Sequence, residues 1–233
     1  MVDKIVSVWF DHSGDQYKRL MDVFAYSIKK NTNYDLEIIN IEPPEVTRDR
    51  ALDNNSVKLY AWVDWLKNTD FQNVVFMDCD MLVLKPFNEV FEKEFDVCYT
   101  YREKLPFNGG VVFARNNKYT QDFFSKWAKV NDKMMKNPSF HKPWRSVYAG
   151  INQSAFGYLL ENKPNCHIEA VPCSIYNAVD ENWRDIDKDC KVIHYKSELR
   201  RAVVGSRYAP WIQNLVDLWN QYEREGKTNS LQR

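Results

Sequence analysis

Residues 74–87 read VVFMDCDMLVLKPF. Two apolar runs of strand length flank Asp78-Cys79-Asp80, an unusual place for a pair of carboxylates. In an extended segment, residues i and i+2 project to the same side, so Asp78 and Asp80 converge while Cys79 turns away. Converging carboxylates repel one another and raise a pKa unless a cation lies between them. A hard divalent cation with oxygen ligands is the economical partner. It would also grip a diphosphate and neutralise charge on a departing phosphate. A bare Asp-x-Asp is about as often a simple exposed strand end. Here the flanks VVFM and MLVL argue against a solvated turn.

Upstream, IVSVWF (5–10) has strand length, and GDQYKRLMDVFAYSIKKN (14–31) carries Leu20, Val23, Phe24 and Ile28 at helical spacing. DLEIINI (35–41) is a second strand, stopped by Pro43-Pro44. In NSVKLYAWVDWLK (55–67), Val57, Tyr60, Ala61, Val63 and Trp65 give no clean stripe, which predicts a well-buried helix. NVVFM (73–77) is the third strand and runs into the aspartates.

Downstream, FDVCYTY (95–101) and GGVVFAR (109–115) read as strands and residues 119–136 as an amphipathic helix. Residues 131–148, NDKMMKNPSFHKPWRSVY, are basic, aromatic and proline-containing and predict a loop that could border an acceptor cleft. Trp144 and Tyr148 could stack on a sugar or base, although a packed surface loop is the favoured reading. A helix near 151–161, strands in HIEAVP and KVIHY, and a helix near 210–225 complete the chain, leaving 226–233 as a flexible tail.

Strand–helix alternation followed by a hairpin-like second half predicts one α/β domain over 1–225, with a mixed, mainly parallel sheet flanked by helices. Such sheets bind ligands at the carboxyl ends of strands, which is where the aspartates sit.

Lysine plus arginine equals aspartate plus glutamate at 32 each, so no overall field favours nucleic acid or an anionic membrane. The five cysteines form neither a CxxC pair nor a zinc spacing and read as reduced thiols. The opening MVDKIVSVWFDH lacks the pattern of a signal peptide, and no apolar segment approaches the ~20 residues of a spanning helix. These features predict a cytoplasmic protein without a transmembrane segment.

Haloacid-dehalogenase-type phosphatases share the local pattern, with the first aspartate as nucleophile and the second as acid. They want a Thr or Gly-Thr next and place the strand early. Met81 follows here, and two strand–helix units precede. Asp78 as a phosphatase nucleophile is the weaker alternative.

With its flanks, the chain resembles the family-8 retaining glycosyltransferases of the glycogenin type. Asp15-Gln16-Tyr17 looks like the family's Asp-x-Tyr after the first strand, and SVKLYAWVDWLK like its Lys-Leu…Trp helix. FNGGVVFAR is similar to Phe-Asn-Ser-Gly-Val, and GINQSAFGYLL to Asp-Gln followed by a helix. VPCSIYNAV resembles a Tyr-Asn loop, and KVIHYKSELRRA the closing His-Phe-x-Gly-x-x-Lys. These blocks keep family order over residues 5–201.

The resemblance implies a GT-A fold, a nucleotide-sugar donor (usually a UDP-sugar) and Mn²⁺ or Mg²⁺ held by Asp78, Asp80 and His194. It implies Tyr17 and Asp15 at the base, and Lys58 at phosphate or sugar with Arg50 or Arg48 assisting. Cys79 would lie close to the donor. Asn108, Gly109 and Gly110 would border the sugar, and Asn152 and Gln153 the anomeric carbon. Lys196 and Arg200, with Arg201 nearby, would hold the diphosphate.

Each residue has a plainer alternative. A histidine after a strand is more often structural, Lys58 could be solvated, Asn108-Gly109 is a strong hairpin signal, and Asn152-Gln153 could cap a helix. Two departures from the family stand out. Asn152 replaces an aspartate, with no acidic residue just upstream, and Ser197 and Arg200 replace a glycine and a lysine. The lost charges leave the sugar open and suggest a second alternative, a nucleotide-sugar-binding protein without catalysis. The acceptor, whether glycan, protein, lipid or modified nucleic acid, is not written in the sequence.

Overall fold

The computed structural model describes residues 1–10 and 15–230, without the side chains of Asp15, Gln16 and Ser230. In chain order the elements are β1 (Lys4–Phe10), α1 (Asp15–Asn31), β2 (Asp35–Ile41), α2 (Arg50–Lys67), β3 (Asn73–Met77) and β4 (Met81–Val83). After a 3-10 turn come β5 (Val97–Tyr101), β6 (Asn108–Arg115), α3 (Lys118–Lys136), α4 (Pro138–Tyr148), α5 (Ile151–Glu161) and β7 (Ile168–Pro172). Then follow α6 (Cys173–Tyr176), β8 (Val192–His194), α7 (Ser197–Val203) and α8 (Gln213–Ser230). The last helix extends past the end near 225 that its sequence suggests; residues 231–233 lie outside the described region.

Six strands form the central sheet in the order β2-β1-β3-β6-β5-β7. Every pair is parallel except the two made by β6, which runs against β3 and β5. The expected single α/β domain with a mixed, mainly parallel sheet is therefore present. Because β6 is reversed, its first residues lie at the same edge as the last residues of β1, β3 and β5. That edge collects the chemistry.

Both sheet faces are covered, so the central strands are apolar at consecutive positions. On β3, Val74 and Phe76 join one core cluster while Val75 and Met77 join the other. On β6, Val112 and Ala114 alternate in the same way with Val111 and Phe113. A third cluster packs α1, α7 and α8 around Leu82, Ile193, Tyr195 and Trp219. An ion pair from Arg19 to Glu223, 2.7 Å, ties α1 to α8.

Two helices depart from expectation. In α2 the buried stripe is Leu52, Ser56, Leu59, Trp62 and Leu66, a regular i, i+3/i+4 series. The residues singled out from the sequence, Val57, Tyr60, Ala61, Val63 and Trp65, are its half-buried flanks. The helix also starts five residues earlier, where Asp49 accepts from the backbone N–H groups of Ala51 and Leu52.

The loop expected over 131–148 is instead the end of α3 followed by α4. Asn137 ends one helix and caps the next by accepting from the Phe140 N–H at 3.0 Å. Pro138 sits in the first turn, where its missing N–H costs nothing. Trp144 stacks on Tyr148, and its edge meets Tyr158. These rings are packed against neighbours.

Candidate active site

The Asp78–Asp80 segment is where the chain leaves one sheet for another. The Asp78 N–H still donates to the Gly110 carbonyl, 2.9 Å, as an extension of the β3–β6 pairing. The chain then bends through Cys79 and Asp80 and enters β4, which pairs antiparallel with β8. The apolar flanks thus serve two sheets, and the aspartates occupy the bend between them. Register Met81↔His194, with the Tyr195 N–H donating to the Asp80 carbonyl at 2.7 Å, brings the end of β8 beside the bend.

The result is a three-residue cluster. One ligating atom from each of Asp78, Asp80 and His194 lies within 4.8 Å of the others. His194 Nε2 is 3.2 Å from Asp80 Oδ1 and 3.7 Å from Asp78 Oδ2. Two carboxylates and an imidazole form a donor set suited to Mn²⁺ or Mg²⁺, with the nitrogen favouring the transition metal. The residues fit such an ion. Among the described residues, no other histidine, cysteine and carboxylate group meets this geometry.

Cations surround the cluster. Lys58 Nζ is 2.6 Å from Asp78 Oδ1, and Arg200 Nη1 is 3.3 Å from Asp80 Oδ2. Lys58 is only 7% exposed and lies 4.8 Å from the Trp62 ring, so it is not a solvated lysine on a surface helix. Burial pushes the Asp80 carboxyl up, but His194 and Arg200 more than offset this and hold it below the ordinary carboxylate range. Burial, with both flanking carboxylates, pushes the Cys79 thiol far up.

A cleft of about 700 Å³ opens over this cluster, lined by Trp9, Phe10, Tyr17, Arg50, Asn54, Lys58, Cys79, Lys196 and Arg200 together with the three ligands. Tyr17 is exposed at its rim, with the Arg200 guanidinium 5.7 Å from its ring. The Asp15 side chain is outside the described region. A smaller recess of about 120 Å³ adjoins, bounded by Asn55, Asn108, Gly109, Gly110, Asn152 and Gln153. The two share Asn55, Lys58, Asp78, His194 and Lys196.

The structure also corrects local expectations. Asn108-Gly109 is not a hairpin turn; both residues lie inside β6. Gly110 is needed for space, because a Cβ there would come within 2.7 Å of the His194 ring and 2.8 Å of Met81 Cε. Asn152 and Gln153 do not cap α5, whose N-cap is Gly150. The Gln153 amide instead bridges elements: Oε1 accepts from the Gly109 N–H at 3.1 Å, and Nε2 donates to the Tyr148 carbonyl at 2.6 Å.

Arg48 turns away, donating to the Met134 and Met135 carbonyls at the end of α3, so Arg50 is the arginine at the cleft. Arg201 is exposed on α7 and does not line the cleft. Lys196 pairs with Asp180 at 3.2 Å, a partner with no sequence signal.

Two non-glycine residues beside the site have positive φ. Ser197, where the resemblance expects glycine, has φ 49°, which is the conformation that favours glycine. Ala149, in the turn that supplies the carbonyl for Gln153, has φ 64° and ψ −108°. Such backbone costs of order 1–3 kcal/mol. Ala149→Gly is expected to raise stability by about 1 kcal/mol after the entropy of the freer unfolded chain is subtracted, or roughly 2–4 °C in Tm. A melting scan that shows a lower Tm would contradict this account of the turn.

Comparison with known proteins comes from structure alone, since no protein-family model and no curated protein matches the chain. The glycosyltransferase GlyE of Streptococcus pneumoniae TIGR4 superposes with TM-score 0.64 at 14% identity over 95% of this chain. The chain spans 60% of the length of GlyE. A glycosyltransferase involved in glycosylation of the major capsid of PBCV-1 gives TM-score 0.62 at 15% identity, over 87% of this chain and 100% of that one. The galactosyltransferase LgtC, solved with donor and acceptor sugar analogues, gives 0.58 at 11% identity, with 95% of each chain covered. At these identities the likeness is one of fold, and the fold is the GT-A-like architecture of these glycosyltransferases.

Proposed function

We propose that this protein transfers a sugar from a nucleotide-diphosphate donor, a UDP-sugar, to an acceptor, in a divalent-metal-dependent reaction that retains the anomeric configuration. The observation that carries the reading is the convergence of Asp78, Asp80 and His194 at the carboxyl edge of a GT-A-like sheet, ringed by Lys58, Lys196 and Arg200. The motif resemblance supports a family-8 assignment of the glycogenin type. The five free thiols suit a reducing, cytoplasmic setting. No described helix is long and apolar enough to cross a membrane.

Asp78, Asp80 and His194 would hold Mn²⁺ or Mg²⁺. Bound there, the ion supplies positive charge for the diphosphate as it departs. The chain's own residues do the rest. Lys58 and Arg200, which balance the aspartates here, are within reach of the phosphates once a cation takes over those carboxylates. Arg200 can offer two parallel hydrogen bonds, which suits it to the position where the family carries lysine. Tyr17 at the cleft rim offers a ring face to the base.

The recess lined by Asn108, Gly109 and Gly110 would receive the sugar, with the fixed Gln153 amide and Asn152 bordering the reacting carbon. No carboxylate occurs at 149–153, so the residues favour attack by the acceptor hydroxyl on the face the diphosphate leaves. On that route the hydroxyl proton passes to the leaving phosphate oxygen and no protein nucleophile is required.

The test is a panel of nucleotide sugars screened by thermal stabilisation with and without Mn²⁺. A true donor at about 100 times its Kd adds about 2.7 kcal/mol, roughly 5–10 °C in Tm for a chain this size. Stabilisation by a UDP-sugar only when Mn²⁺ is present is expected. A protein indifferent to every nucleotide sugar, but turning over simple phosphate esters, would favour the phosphatase alternative.

A further inference from the structure

The side chain of Asn177 sits behind the metal cluster, fully buried, at the residue that ends α6. Its backbone is held on both sides. The Asn177 N–H donates to the Cys173 carbonyl at 2.9 Å, the next residue's N–H to Val192 at 2.8 Å, and the His194 N–H to the Ala178 carbonyl at 2.9 Å. An amide buried in so fixed a position has a definite orientation, and its partners reveal which.

The backbone N–H of Gly110 can only donate, and it donates to Asn108 Oδ1 at 3.0 Å. That atom is therefore an oxygen, and the Asn177 amide atom 3.0 Å from it is the NH₂. The same NH₂ donates to Thr100 Oγ1 at 2.8 Å, whose own hydrogen goes to the Asn108 carbonyl at 3.0 Å. A break in the β5–β6 register after Tyr99 sets Thr100 opposite Asn108 and makes this contact available.

The other end of the Asn177 amide is then its oxygen, 3.0 Å from His194 Nδ1. An amide oxygen only accepts, so Nδ1 carries the hydrogen. Nε2 faces Asp80 Oδ1 at 3.2 Å and Asp78 Oδ2 at 3.7 Å, which also only accept. It therefore carries a hydrogen in the metal-free site and presents its lone pair when a cation is seated between them. The ring itself lies against the bare backbone of Gly110, which keeps it from tilting away.

We propose that Asn177 is a positioning residue: its amide fixes His194 as the Nδ1–H tautomer and aims Nε2 at the point shared by Asp78 and Asp80. The inference rests on the reading of those three residues as a metal site. A ligating histidine is oriented by whatever its second nitrogen donates to, and loss of such a partner commonly weakens metal binding by roughly 10–100-fold. Asn177 lies 77, 69 and 17 residues from Thr100, Asn108 and His194 in the chain, so only the fold assembles this relay.

The direct test is ¹⁵N NMR of histidine-labelled protein, metal-free and loaded with diamagnetic Mg²⁺, at a pH well above the ordinary histidine range, with His194→Asn used to assign the signals. Wild type is expected to show a protonated Nδ1 at His194 in both forms, with Nε2 bare in the Mg²⁺ form. Asn177→Ala should lose that preference and bind Mn²⁺ alone, followed by electron paramagnetic resonance of the free ion, roughly 10–100-fold more weakly. Asn177→Asp, which keeps an acceptor for Nδ1–H, should keep the tautomer.

Thr100→Val removes a buried hydrogen bond from the same network without touching His194; it should cost stability but keep both the tautomer and the Mn²⁺ affinity. The proposal is overturned if Nδ1 of wild-type His194 is bare. It is equally overturned if Asn177→Ala keeps both tautomer and affinity, or if Thr100→Val loses as much Mn²⁺ affinity as Asn177→Ala. Should Asn177→Ala fail to fold, the wild-type spectrum and the other two variants still decide. Absence of Mn²⁺ binding by wild type would remove the metal-site reading, while the spectrum would judge Asn177 by itself.

Discussion

Asp80→Ala is expected to eliminate Mn²⁺-dependent hydrolysis or transfer from a UDP-sugar, a loss of at least about 10²–10³-fold, the size seen when one group that stabilises transition-state charge is deleted. Asp80 is the better buried of the two aspartates and meets both His194 and Arg200. Removing it takes away a ligand and leaves those two groups without their carboxylate. The backbone link from Tyr195 to the Asp80 carbonyl does not depend on the side chain, so β4 and β8 should stay paired. Asp80→Asn is the stricter version, because it keeps the shape and removes the charge. Both variants should fail in steady-state assays while retaining a cooperative melt. Full activity in either would exclude a role for Asp80 in metal binding.

Gly110→Ala should produce the second largest effect, through packing. The added Cβ would meet His194 Cε1 and Nδ1 at 2.7 Å and Met81 Cε at 2.8 Å. The methionine methyl can move aside, but the imidazole is held between Asn177 and the aspartates. Overpacking of this kind costs about 1–3 kcal/mol, or roughly 2–12 °C in Tm at this chain length. Because the ring must shift to relieve it, Mn²⁺ affinity should fall at least about tenfold as well. Gly109→Ala is the comparison for stability. Its Cβ would meet Asn152, Gln153 and Phe107 at 3.6 Å, ordinary contact distance, so stability should change by less than about 1 kcal/mol. A Gly110→Ala protein with wild-type melting and Mn²⁺ binding would contradict the close approach of His194 to β6.

These two predictions differ in how far the sequence foreshadowed them. Asp80 was legible because an apolar run interrupted by carboxylates is chemically odd, and oddness survives without a structure. The strands around it were legible for a related reason: a sheet covered on both faces makes consecutive apolar positions, and β3 and β6 are such runs. The stripe on α2 was obscured by Val57, Tyr60 and Ala61, apolar residues on its half-buried flank. Pro138 and Pro143 suggested a loop where α4 forms, although an asparagine followed by proline is also a helix start.

The polar recess was hardest to foresee. Asn108-Gly109 has the local chemistry of a turn, and tertiary pairing with β3 and β5 holds it in a strand instead. Lys58 has the local chemistry of a solvated lysine, and its burial follows from Trp62 beneath it and Asp78 in front of it. Thr100, Asn108, Asn177 and His194 come from four separate segments, and no spacing rule relates them. Secondary structure follows from local pattern, whereas this relay depends on the register of strands distant in sequence.

If Asp78, Asp80 and His194 hold a divalent cation that in turn holds a nucleotide diphosphate, UDP binding must depend on the ion. Calorimetric titration of UDP into the wild-type protein, once with Mn²⁺ and once with EDTA, measures this. Saturable binding in Mn²⁺ that is lost in EDTA is expected, with an Asp80→Asn protein behaving in Mn²⁺ as wild type does in EDTA. Equal UDP affinity in Mn²⁺ and in EDTA would rule out the metal-held diphosphate.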